Sequence, residues 1–82
     1  MTKKEIEITI NEALCTEFEA DISTIAPEKE LKQTLDLDSL DLVDVVVIID
    51  ETFGVKLTKD DFSHLKTFDN LYTFIYNRIN ER

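Results

Sequence analysis

Four helix-start signatures are spread along a chain of 82 residues that holds a single glycine and a single proline. Thr2, Asp38, Thr58 and Thr67 each stand directly before a segment with apolar residues at helical spacing. Three of them have an acid three positions on, at Glu5, Asp41 and Asp61. A side-chain oxygen at the N-cap accepts one of the backbone N–H groups that the first helical turn leaves without a partner. The acid at the third position reaches back to the N–H of the cap residue. With so few turn-forming residues, a loop-rich or all-β fold is disfavoured. The expectation is an all-α fold: a small antiparallel bundle of three longer helices, one short helix before the last, and a long first loop.

The apolar spacing supports this reading. Ile6, Ile10, Ala13, Leu14 and Phe18 fall on one helical face, and Phe68, Leu71, Tyr72, Ile75 and Ile79 do the same near the end. Two segments are ambiguous. Glu5 to Ile10 alternates like a strand, but the helical spacing from Ile6 through Phe18 runs longer, which favours helix. Val45-Val46-Val47-Ile48-Ile49 is a β-branched run that propensity alone assigns to a buried strand. A cap before it, Gly54 after it in the position of a helix-ending residue, and Asp41, Asp44 and Glu51 close to one face all argue for helix. The residues by themselves leave that choice open. Between these segments, Asp21 to Leu37 reads as a long connection with Pro27. Ile22, Ile25, Leu31 and Leu35 are its apolar anchors, and a short helical turn is expected from Glu28 to Gln33. Residues 1–82 show no internal repeat or domain boundary and are read as one domain.

Acids outnumber bases 18 to 9, for a formal charge of −9. That excludes the basic footprint a nucleic acid requires and disfavours an anionic membrane surface. It suits protein partners with positive patches, which associate quickly and with salt sensitivity. The one cysteine, Cys15, has no partner for an internal disulfide. No uninterrupted apolar run approaches the ~20 residues of a bilayer span, and Met1 to Glu12 does not resemble a secretory signal. A monomer in a reducing, cytoplasmic setting is expected.

The charge is not evenly spread. No Lys or Arg falls between Lys32 and Lys56, while Asp36, Asp38, Asp41, Asp44, Asp50 and Glu51 do. Within this stretch, Asp38-Ser39-Leu40-Asp41 sets one hydroxyl at the start of a helix. A serine there is well placed to carry a phosphodiester, because helix N-termini favour anions through free N–H groups and the macrodipole.

The stretch Leu35-Asp36-Leu37-Asp38-Ser39-Leu40-Asp41-Leu42-Val43-Asp44, followed by Asp50-Glu51-Thr52-Phe53-Gly54-Val55, resembles the acyl carrier protein family. The likeness extends over nearly the whole chain, with Ile6, Ile10, Leu14 and Phe18 where the family has the apolar residues of its first helix. A bare Asp-Ser-Leu is weak evidence; within this helix order and length it is strong. The resemblance implies that a phosphopantetheinyl transferase moves 4′-phosphopantetheine from coenzyme A onto Ser39. The thiol of the arm then holds acyl groups as thioesters, and the protein itself is not an enzyme. Asp38 would cap the helix and present the serine. Leu40, Val43 and Val47, ringed by Asp41, Asp44, Asp50 and Glu51, would dock on basic patches of acyl-transfer and synthase enzymes. Leu42, Val46, Ile49 and Phe53 are read as plain core.

Two departures stand out. Asp36 occupies a position where the family usually has glycine, and Asp tolerates a left-handed backbone better than most residues. Phe62, Phe68, Leu71 and Phe74 make the C-terminal half bulky, which would narrow the room for an acyl chain. Rival sites are weak. Leu40 and Asp41 stand where a calcium loop needs an oxygen ligand and a glycine, so no metal site is assigned. His64, the one histidine, has no triad-like surroundings. The competing readings are an unmodified acidic adaptor of the same fold, which Asp36 keeps in play, and a carrier of amino-acyl cargo. Peptidyl carriers usually approach the serine with more glycine and less acid, so fatty-acid-like or polyketide-like cargo is favoured.

Overall fold

The computed structural model describes residues 2–81. Five helices follow in order: α1 (Lys3–Phe18), α2 (Leu31–Leu35), α3 (Ser39–Phe53), α4 (Lys59–Ser63) and α5 (Phe68–Asn80), with a 3₁₀ turn at Ile22–Thr24 between α1 and α2. The four expected caps all form. Thr2, Asp38, Thr58 and Thr67 each accept the N–H three residues on, and Glu5, Asp41, Asp61 and Asn70 return the bond to the cap residue. Asn70 does with an amide what the acids do elsewhere, accepting from Thr67 N at 3.1 Å.

The valine-rich run is helical, so tertiary packing overrides its strand propensity. The reason lies in its two faces. Leu42, Val45 and Ile49 are buried at i, i+3 and i+7, and a strand of the same residues has no sheet to join: among the described residues the only β pairing is an isolated antiparallel bridge between Glu30 and Thr67. Gly54 ends the helix in the left-handed conformation, φ 67°, and its N–H donates to the Asp50 carbonyl.

The long connection differs in detail from its expectation. It holds a 3₁₀ turn that the spacing did not announce. Its helix runs over Leu31–Leu35, three residues later than the expected Glu28–Gln33. Leu31 and Leu35 are buried and Ile25 is partly so, but Ile22 is 53% exposed and anchors nothing. Pro27 sits instead in a turn closed by Lys29 N donating to the Ala26 carbonyl at 3.0 Å. The start is then fixed from outside: Leu31 N donates to the Lys66 carbonyl at 2.8 Å and Phe68 N to the Lys29 carbonyl at 3.1 Å.

α1 packs against α5 and α3, and α3 against α4. The core gathers Ile6, Ile10 and Leu14 from α1, Leu42, Val45 and Ile49 from α3, Phe62 from α4, and Phe68, Leu71, Tyr72 and Ile75 from α5. Burying one such side chain contributes about 1.5–3 kcal/mol. Val46 and Phe53 pack only partly against this core. Tyr72 is the one core residue with a polar tip. Its hydroxyl donates to Asn11 Oδ1 at 2.6 Å, and burial pushes its pKa up to about 12. Arg78 closes the far end: its guanidinium lies 4.7 Å over the Phe74 ring and donates to the Lys56 carbonyl, 4.0 Å from the Asp61 carboxylate.

Candidate functional site

Ser39 is the first residue of α3 and is exposed. Its position follows from the turn before it. α2 ends at Asp36, whose backbone is left-handed at φ 51°, ψ 50°, and both Asp36 N and Leu37 N donate to the Lys32 carbonyl. A left-handed residue costs a non-glycine side chain strain, and Asp is among those that bear it best. The chain thus turns sharply with Asp where the resembling family has glycine. Leu37 tucks partly against the core, and Asp38 comes out extended as the cap of α3.

The cap is doubly bonded. Asp38 Oδ1 accepts from Leu40 N at 2.9 Å and Asp41 N at 3.0 Å, and Asp38 N donates to Asp41 Oδ2 at 3.1 Å. This corrects one part of the sequence reading. The N–H groups expected to be open to an anion at this helix start are in part already taken by the Asp38 carboxylate. A group esterified to Ser39 would find Leu40 N and Asp41 N already bonded and would have chiefly the field of the macrodipole in its favour. The residues fit such a group, since the hydroxyl is exposed and no side chain among the described residues hydrogen-bonds to it.

Downstream of Ser39, α3 divides its apolar residues between two sides. Leu40, Val43 and Val47 are 76%, 49% and 47% exposed, whereas Leu42, Val45 and Ile49 are in the core. Val45 is fully buried although the spacing singled out Val46 in its place. In a run of five consecutive β-branched residues, periodicity carries no phase. The polar neighbours supply it: Asp44, Asp50 and Glu51 are exposed and Asp41 is half-buried in the cap. The exposed apolar stripe and these four acids lie along the same helix that Ser39 opens.

The remaining reactive side chains stand apart from this arrangement. His64 is exposed at the end of α4, its Nδ1 2.9 Å from the Asp60 carbonyl oxygen. The Cys15 thiol is pushed above its ordinary pKa by burial and then by the nearby Asp21 carboxylate. Phe62, Phe68 and Leu71 are fully buried and Phe74 packs beside them. Among the described residues, no helix is long and apolar enough to cross a membrane.

A family model described as a phosphopantetheine attachment site matches residues 9–75, a span that includes α3 and its cap. The chain is 35% identical to an acyl carrier protein of Acidothermus cellulolyticus over 77 residues, 94% of this chain and 92% of that one. It is 32% identical to an acyl carrier protein of Myxococcus xanthus, covering 90% of this chain and 94% of that one. It is 33% identical to the meromycolate extension acyl carrier protein of Mycobacterium leprae, covering 92% of this chain and 65% of that one. Taken with an all-helical bundle that sets an exposed serine at the head of an acidic helix, these likenesses run the length of the chain, which belongs to the acyl carrier protein family, whose prosthetic group is covalently attached 4′-phosphopantetheine.

Proposed function

We propose that this chain carries acyl intermediates as thioesters on 4′-phosphopantetheine attached to Ser39, passing them between enzymes that build fatty-acid-like or polyketide-like chains. The observation that carries the reading is the placement of Ser39: exposed, first in a 15-residue helix, behind a doubly bonded Asp38 cap. The thiol of the arm supplies the thioester chemistry. The protein supplies three other things: a fixed attachment point, a recognisable face and tethering. Tethering turns each encounter with an enzyme into a reaction at raised effective concentration.

Asp38 holds the start of α3 in shape, which keeps the hydroxyl of Ser39 presented to a phosphopantetheinyl transferase. Leu40, Val43 and Val47 form the apolar part of the docking face. Asp41, Asp44, Asp50 and Glu51 provide the charge that steers basic patches of the transferase and of synthase enzymes toward it. The filled interior bears on cargo. Fully buried Phe62, Phe68 and Leu71 leave an acyl chain to displace packed side chains before it enters, so short groups are favoured over long ones.

Intact mass spectrometry after incubation with coenzyme A and a promiscuous transferase tests the reading. The wild-type chain is expected to gain one phosphopantetheine and Ser39→Ala none. A wild-type chain that gains nothing identifies it as an unmodified acidic adaptor.

A further inference from the structure

Part of the positive charge of this acidic chain gathers where α2 meets the start of α5. Three of the nine basic residues, Lys29, Lys32 and Lys66, flank the backbone bridge that joins α2 to the start of α5. Leu31 N to the Lys66 carbonyl and Phe68 N to the Lys29 carbonyl hold the two segments side by side. Next to the bridge lies a cleft of about 200 Å³ lined by Glu30, Lys32, Ser63, Leu65 and Lys66.

Its lining sets two basic side chains beside one acid, as does the cleft lined by Lys56, Arg78 and Glu81, but there Arg78 is already engaged with Asp61. Lys32, Lys66 and Glu30 supply the charged lining here, two basic residues to one acid. Neither lysine is in an ion pair among the described residues, where Lys3 pairs with Asp69 and Arg78 with Asp61. Leu65, partly buried against the core, gives the cleft an apolar wall. Ser63 Oγ donates to the Asp60 carbonyl at 2.6 Å and so turns its lone pairs, not its proton, outward. The donors left for a ligand are therefore the ammonium groups, which suit a small anion on a short apolar stem.

The cleft is within range of Ser39. The last turn of α2 and three further residues join Lys32 to Ser39, which bounds their Cα separation at roughly 17 Å. We propose that this cleft is a binding site for the carboxylate of a tethered acyl group, so that the carrier retains dicarboxylic acyl cargo at Lys32 and Lys66 while its apolar part rests on Leu65. This rests on Ser39 carrying the arm. It extends that reading to a class of cargo and a place for it. Salt weakens the retention, because both lysines are exposed and their attraction is screened.

Butyryl and succinyl groups have the same chain length and differ in a terminal carboxylate. Each is loaded through its coenzyme A analogue, with the thioester replaced by a stable amide, and backbone amide shifts are recorded by NMR beside a carrier bearing the bare arm. The succinyl carrier is expected to show shifts at Lys32, Ser63, Leu65 and Lys66 that the other two lack. They should fade with added salt and vanish in the Lys32→Gln, Lys66→Gln double variant, whose exposed substitutions leave the fold in place. Identical shifts in all three carriers mean that the cleft senses the arm's own phosphodiester or nothing, and overturn the proposal. So do succinyl shifts that survive in the double variant. Mass spectrometry of the same samples separates the two claims. Loading without the succinyl-specific shifts removes the cleft alone, and absence of loading removes attachment at Ser39 and the cleft with it.

Discussion

α3 and α5 start alike and end up with different tasks. Each opens with a reciprocal cap, Asp38 with Asp41 and Thr67 with Asn70, and each sends several large apolar residues into the core. On α5 those residues, Phe68, Leu71, Tyr72 and Ile75, take up nearly all of its apolar surface, and what remains outside is chiefly Tyr76. On α3 an equal set stays outside: Leu40, Val43 and Val47 are at least as exposed as they are buried or nearly so, beside three that are fully or almost fully buried. Exposing apolar surface brings no stability. A helix that does so along one side while surrounding it with acids is built for a partner as well as for the fold. α5 serves stability, and α3 leaves as many large apolar side chains outside as it buries, as the docking face proposed above requires.

That division can be broken by substitution. The largest effect is expected inside. Ile49→Ala removes a fully buried side chain and should destabilise the protein by about 2–5 kcal/mol, read from the midpoint of chemical denaturation. A loss under about 1 kcal/mol would place the inner side of α3 outside the core. Asp38→Ala comes next. It removes both cap bonds, to Leu40 N and Asp41 N, and should cost about 1 kcal/mol, with Asp38→Asn recovering most of it. If the cap also presents Ser39, the alanine variant is modified more slowly at temperatures where it is fully folded. Val47→Ala should have the smallest effect on stability, within about 0.5 kcal/mol. Yet it should lower kcat/KM for transferase modification. If stability moves and modification does not, the outer stripe belongs to the fold and the contrast with α5 disappears.

The helices were legible in the sequence because caps are local. Thr2 with Glu5, Asp38 with Asp41 and Thr58 with Asp61 lie only three positions apart, and each bond forms. The inner residues of α1 and α5 were legible because polar residues separate the apolar ones and fix the phase. Within Val45 to Ile49 there is no such separation, and Val45 passed unnoticed as a fully buried residue. The connection before α2 was read poorly for a different reason. Its helix start depends on carbonyls of Lys29 and Lys66, and contacts across more than thirty residues leave no local mark. Ser39 was singled out through its neighbours, and the structure sets it exposed at the start of α3. The sequence offered two readings of the same N–H groups, bonded to the Asp38 cap or open to a phosphate, and in the structure Leu40 N and Asp41 N are bonded to the cap.

Asp36 holds a left-handed turn that glycine holds more loosely. An aspartate has fewer backbone conformations open to it than glycine, so this corner forfeits less entropy on folding and flexes less once formed. The arm proposed for Ser39 would then swing from a stiff pivot. Its travel between enzymes would come from rotations along its own bonds and from tumbling of the whole protein, and the corner beneath it would add little.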